Sequence, residues 1–156
     1  KALVEKQYDL VVNVGIAGSF NRSIPLGSVV EVVKDQLSEI GTQDGSQFLN
    51  PIEIGLDATI IVEMPVQTDL PAVSGITVNT VHGDDKAIFQ IVHRLNPQVE
   101  SMEGAACMLA CKNLGVPCVQ LRAISNYVEK RNKANWDIPL AIRNLNQELS
   151  KFLAKL

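Results

Sequence analysis

The sequence predicts an α/β fold, with a mixed, mostly parallel central sheet flanked by helices. Three observations predict it. Strand-like apolar runs alternate with helical segments through the second half of the chain, the order that builds a largely parallel sheet. Aromatic residues make up only 4% of the chain against 46% hydrophobic, so the core must be built from Val, Ile, Leu and Ala, the mix of a sheet covered by helices. Two apolar runs end in polar side chains, Val99-Glu100-Ser101-Met102-Glu103 and Leu121-Arg122-Ala123-Ile124-Ser125-Asn126, and α/β proteins bind ligands at the carboxyl ends of their strands.

Each element has its own signal. Ala2, Leu3 and Val4 read as the last turn of a helix, and residues 9–14 as a buried strand ending at Gly15. Gly15-Ile16-Ala17-Gly18-Ser19 follows as a tight loop, and residues 28–33 form a second strand after the Pro25-Leu26-Gly27 turn. Residues 34–71 are irregular, with one short strand at 59–62, and read as a mobile or ligand-covering segment. A strand is predicted over 76–81. Asp84 or Asp85 then caps a helix with apolar positions Ile88, Ile91, Val92 and Leu95, ended by Asn96-Pro97. Glu103 opens the next helix, which runs to Leu114 and stops at Gly115. Residues 116–124 form a strand. Asp137 caps the last helix, with Pro139 in its first turn and an apolar face of Ile142, Leu145, Leu149, Phe152, Leu153 and Leu156.

A chain of 156 residues is read as one domain over residues 1–156, long enough for a real core. The net charge of −3 shows no electrostatic footprint for nucleic acid, and the cluster Lys130, Arg131 and Lys133 reads as a solvated loop. No apolar run reaches the ~18 residues of a membrane span, and no secretory leader opens the chain, so the expectation is a cytoplasmic protein without a membrane partner. Cys107, Cys111 and Cys118 are odd in number, which argues against a disulfide framework. They read as small buried thiols rather than metal ligands, because neither His82 nor His93 is close enough in sequence to complete a set. No metal and no cofactor is expected.

Two polar side chains carry the chemistry. Glu103 sits where a strand hands over to a helix, and the helix dipole there favours an ionised carboxylate. Two oxygens accept in a bidentate way, which suits adjacent cis hydroxyls such as those of a ribose. A nearby negative charge also stabilises the cation that develops as a glycosidic bond breaks. Met102 can pack on the sugar's apolar face. The plainer alternative is a capping glutamate beside a core methionine. Asn126 carries an amide that can donate to the N7 and O6 edge of a 6-oxopurine, a bond that strengthens as the base departs. Its plainer alternative is a turn-forming Asn at a strand end. Gly15, Ile16, Ala17 and Gly18 would let backbone approach a ligand closely, or simply make a turn. They are neither a dinucleotide fingerprint nor a P-loop. His82 and Asp84 flank Gly83 at another strand end, as possible ligand contacts or as a structural His and a helix cap.

Together the Gly15-to-Gly18 loop, the Met102-Glu103 pair and the Arg122-to-Asn126 run resemble the purine nucleoside phosphorylase and nucleosidase superfamily. The resemblance is closest to its hydrolase branch, the methylthioadenosine/adenosylhomocysteine nucleosidases and above all the futalosine hydrolases. It implies that Gly15, Ile16, Ala17, Gly18, Met102, Glu103 and Asn126 bind substrate and that Asn126 and Glu103 act in catalysis. Asn126 stands where adenine-specific relatives carry an aspartate, which points to hypoxanthine, the base of futalosine. Ile16 replaces a serine of those relatives, and Lys86 lies near where they place an aromatic. The activity implied is N-ribosyl hydrolysis of futalosine in menaquinone biosynthesis by a homo-oligomer acting on a small purine nucleoside. Phosphorolysis, methylthioadenosine cleavage and a non-catalytic storage-like role are the alternatives. The family opens with a βαβ segment that supplies the acid activating the attacking water. Nothing before Lys1 corresponds to it, so an N-terminally truncated chain with an exposed sheet edge is expected.

Overall fold

Branched apolar side chains suit a pleated, buried surface, and the runs rich in Val, Ile and Ala become the strands. The computed structural model describes residues 2–58 and 60–156. The strands are β1 (Val11–Ser19), β2 (Val29–Leu37), β3 (Thr42–Asp44), β4 (Gln47–Leu49), β5 (Ile61–Glu63), β6 (Ala72–Thr77), β7 (Val99–Ser101) and β8 (Cys118–Tyr127). The helices are α1 (Ala2–Glu5), α2 (Asp85–Leu95), α3 (Gly104–Asn113) and α4 (Ile138–Leu153).

Six strands form one mixed sheet in the order β5-β2-β6-β7-β1-β8, and β2 pairs with β8 as well. That extra pairing, Val29 opposite Ala123, closes five strands into a ring. The parallel ladders β1–β8, β2–β6 and β6–β7 hold far more register than the antiparallel ones. The β1–β8 ladder alone runs the whole length of β1, from Val11 opposite Cys118 to Ser19 opposite Tyr127. The ring is filled by Ala17, Val30, Val32, Val73, Val99 and Ile124, which come from all five strands. The helices cover its outside. Ala141 and Leu145 of α4 pack on Val119, Leu121 and Ala123, while Met108 and Cys111 of α3 pack on Val62 and Cys118. Ile91 of α2 packs on Ile76 and Val78.

Several boundaries differ from the sequence reading. The tight loop expected at Gly15-Ile16-Ala17-Gly18 is the second half of β1, because the ladder to β8 continues past Gly15. β1 is only partly covered before Ala17: Val14 is 42% exposed and Ile16 37%, on a stretch paired with β8 alone among the described residues. The expected strand at 28–33 runs on to Leu37, and the irregular region holds the β3–β4 hairpin. The short strand lies at Ile61–Glu63, and Thr59, expected to begin it, lies outside the described residues. The strand expected at 76–81 is Ala72–Thr77, since β6 must align with β2 from Glu31 onward. The strand expected to stop at Ile124 continues to Tyr127. The helix starts are as read. Asp84 accepts from Ala87 N at 3.0 Å and Asp137 from Leu140 N at 2.9 Å. On α4 the buried stripe is Ala141 and Leu145, whereas Ile142 and Leu153 face outward, and Leu156 lies beyond the helix.

Met108 has no exposed surface and sits where α3 meets the sheet. Met108→Ala is expected to lower unfolding free energy by about 2–5 kcal/mol in urea titration, through lost transfer energy and the cavity left behind. An unchanged midpoint would show that α3 is not packed as described.

Candidate active site

The carboxyl ends of the parallel strands β1 and β8 lie beside the antiparallel β7 and the turn that follows it, and a cavity of about 590 Å³ opens there. β1 contributes Gly15, Ile16, Ala17 and Gly18; β7 and the turn after it contribute Glu100, Ser101, Met102 and Glu103. β8 contributes Ser125, Asn126 and Tyr127. The seven residues that the family resemblance implies as substrate contacts all line this cavity, whereas Asp84, a possible ligand contact in the sequence, faces another hollow. A second, more open hollow of about 950 Å³ lies between α2 and the β3–β4 hairpin and shares only His82 with it. Lys86 faces that outer hollow, not the cavity.

Glu103 is the N-cap residue of α3, yet its side chain makes no capping hydrogen bond. It stays exposed at the cavity wall beside the half-exposed Met102. Helix α3 can begin this abruptly because Gly104 has no side chain: a Cβ there would overlap Asp35 and Gln120. The first turn is anchored by Thr77, whose hydroxyl oxygen accepts from Ala105 N at 2.7 Å.

Asn126 lies within β8, not at a turn. The ladder slips between Ala17 and Gly18, so that Ala17 faces Ile124 and Gly18 faces Asn126, leaving Ser125 as an extra residue. Such bulges re-aim side chains near functional sites. The Asn126 amide is then oriented by two bonds. The Ser125 hydroxyl donates to its Oδ1 at 2.8 Å, and its Nδ2 donates to the Tyr127 carbonyl at 3.0 Å. An amide nitrogen has two hydrogens, so one remains for a ligand. Gly18 makes the space: a Cβ there would lie 3.2 Å from Asn126 Nδ2 and 3.5 Å from Glu100 Cγ.

The sequence offers His82 as a possible ligand contact, but neither its Glu100 partner nor the contribution of Trp136 has a local signal. His82 pairs with Glu100: Nδ1 lies 2.7 Å from Glu100 Oε2, and the His82 backbone N donates to Oε1 at 3.1 Å. Trp136, far along the chain, lines the cavity with Arg131 over its ring at 5.5 Å. Arg122 is 1% exposed and stacks beneath Gly15, where a Cβ would sit 3.3 Å from its Nη1. It donates to the Leu121 carbonyl at 3.1 Å, while its Nε has no partner among the described residues. Burial pulls its pKa down, opposed by the charges of Asp35 and then Glu103. A charged residue inside the apolar run 119–124 was the one signal for it.

Below the rim, Asp35 is fully buried. It accepts from Gln120 Nε2 at 2.9 Å and from Thr77 Oγ1 at 3.1 Å. Burial pushes its pKa above the ordinary 3.8, against these bonds and the Arg122 charge. The three cysteines lie together, their sulfurs within 4.8 Å of one another. Burial pushes the thiols of Cys111 and Cys118 up, which favours the protonated form over a metal-binding thiolate. No helix among the described residues is long and apolar enough to cross a membrane.

With this geometry in place, comparison with known proteins is specific. Residues 1–156 match the family model described as the phosphorylase superfamily. Over 92% of its length the chain is 32% identical to a futalosine hydrolase of Acidothermus cellulolyticus, and over 96% it is 31% identical to one of Streptomyces coelicolor. It spans 64% and 67% of those two proteins. Among solved structures, an MTAN mutant of Helicobacter pylori with 5′-methylthioadenosine in its active site superposes with a TM-score of 0.82. The match is at 18% identity, over 99% of this chain and 72% of that one. The futalosine hydrolase of the same organism gives 0.77 at 18% identity, over 95% and 69%.

The folded Asp35 carboxyl holds its proton more tightly than the unfolded chain does, so unfolding releases a proton between pH 3.8 and the raised value, and stability falls as pH rises through that window. Asp35→Asn removes this contribution. Denaturant titrations across the window are expected to show the variant gaining on the parent protein as pH rises. A difference that stays constant with pH would refute the assignment.

Proposed function

The chain belongs to the phosphorylase superfamily, and we propose that its rim cavity takes a purine nucleoside whose N-glycosidic bond is hydrolysed, with futalosine as the substrate. The observation that carries this is the convergence of Glu103 and Asn126 on one cavity of about 590 Å³, within the range of small-molecule sites. The likeness to two futalosine hydrolases at about 30% identity supports the choice of substrate.

In this reading Glu103 accepts from the 2′ and 3′ hydroxyls and stabilises positive charge at C1′ as the bond to the base lengthens. Met102 lies against the sugar. The free N–H of Asn126 donates to the N7 or O6 edge of hypoxanthine, and Trp136 offers the flat face on which the base stacks. Water then bonds to C1′, giving hypoxanthine and the ribosyl product that menaquinone synthesis uses. Gly15, Ile16, Ala17 and Gly18 keep the β1 side of the cavity shallow enough for the nucleoside. We place this site in one domain over residues 1–156 of a cytoplasmic homo-oligomer that needs no cofactor.

Base release from futalosine, inosine and methylthioadenosine, with and without phosphate, tests the proposal. Release from futalosine without phosphate is expected. Strict phosphate dependence makes the protein a phosphorylase, preference for methylthioadenosine makes it a nucleosidase of that type, and no release with no hypoxanthine binding leaves a storage-like member of the fold. Glu103→Gln is expected to cost about 2–4 kcal/mol of transition-state stabilisation, read as kcat/KM. Unchanged kcat/KM removes Glu103 from the mechanism.

A further inference from the structure

An amide can donate a hydrogen bond but cannot give up its proton at neutral pH, so Asn126 holds the departing base without protonating it. A purine leaving as an anion is a poor leaving group, and protonating it in the transition state is ordinary general acid catalysis. Among the described residues the cavity is lined by one histidine, His82, the side-chain type that most often transfers protons.

His82 lines the cavity and is only 15% exposed. Both oxygens of Glu100, itself 3% exposed, are turned onto it, one to Nδ1 and one to its backbone N. An ionised carboxylate only accepts, so Nδ1 carries a hydrogen and Nε2 is the nitrogen left over. Nε2 has no hydrogen-bond partner among the described residues. The ring also meets that of Phe20 in a T-shaped contact, centroids 6.2 Å apart. This is the arrangement that orients a proton-transferring imidazole: a buried acid fixes the tautomer and supplies the counter-charge of an imidazolium. The pair also sits in the corner of Asn126, because Glu100 Cγ and Asn126 Nδ2 both close on the empty side of Gly18.

We infer that His82, oriented by Glu100, is the proton donor to the leaving purine. The inference rests on the reading of the cavity as a purine nucleoside site. The donor is the imidazolium, with Nδ1–H held by Glu100 and a second proton on Nε2: as the C1′–N9 bond breaks, its electron pair stays with the purine, and a ring nitrogen of the base takes the Nε2 proton. The water that bonds to C1′ gives up a proton, which restores the imidazolium. His82 is the catalytic group and Glu100 a positioning residue.

The experiment uses the purified protein with futalosine. His82→Ala is expected to lower kcat by about 100-fold or more while KM and hypoxanthine affinity hold, and added imidazole is expected to recover part of the rate. Glu100→Gln, which keeps the shape of the site, is expected to show a smaller loss in kcat with the same split, and it carries the test if the alanine variant does not fold. An unchanged kcat, a KM that rises in step with the loss, or no rescue by imidazole overturns the inference and leaves His82 as a packing residue. Absence of base release by the parent protein from any of the three nucleosides overturns the hydrolase reading itself, and this inference with it.

Discussion

The parallel ladder between β1 and β8, with its single slip at Ser125, is the constraint on which the site depends. β8 is buried along eight of its ten residues and pairs on both sides, with β1 in parallel and with β2 antiparallel. Its path is therefore not free to adjust. Without the extra residue, strand alternation would carry Asn126 onto the opposite face from the one it occupies. The slip resets that alternation at the rim, and the Ser125 carbonyl is taken by Asp137 N at 2.8 Å, which ties the bulge to the start of α4. The oriented amide and its placement against the small Gly18 both follow from this one irregularity.

A second constraint is electrostatic. Asp35, Arg122 and Glu31 are each 1% exposed or less. Burying a charge is costly unless it is paired and hydrogen-bonded. Each is compensated in its own way. Asp35 shares its oxygens between Thr77 and Gln120, and Arg122 lies in the field of Asp35 and Glu103. Glu31 accepts from Gln67 N and Thr68 N, both at 2.9 Å, and from Thr68 Oγ1 at 2.6 Å. The last set pins a stretch that looks unstructured in sequence, so this part of the polar region is tied to the sheet. The first two link β2, β6 and β8 to the opening turn of α3, where Glu103 stands. The polar core thus supports the rim from below, in a position where an apolar core would leave the start of α3 without a hydrogen-bond partner.

The parts legible in the sequence are those with local causes. Asp84 and Asp137 cap their helices because a carboxylate one residue before a helix meets free N–H groups. Glu103 was placed at the mouth of α3 by the change from strand to helix pattern, and Met102 followed from adjacency. The Gly15-to-Gly18 segment reads as a loop in sequence because glycines after an apolar run usually signal a turn. Here they are strand residues, and their smallness serves Arg122 beneath and Asn126 alongside.

Legible in the sequence are the class of fold, the order of its main elements, and two polar side chains, Glu103 and Asn126, at the ends of apolar runs. These depend on periodicity and capping, which act over a few residues. The closing of the strands into a ring, the bulge at Ser125, the approach of His82 and Trp136 to the same rim and the burial of Arg122 beneath it are seen only in the tertiary structure. Those features depend on register between strands about a hundred residues apart and on the pairing of buried charges, and neither leaves a trace in any short stretch of chain.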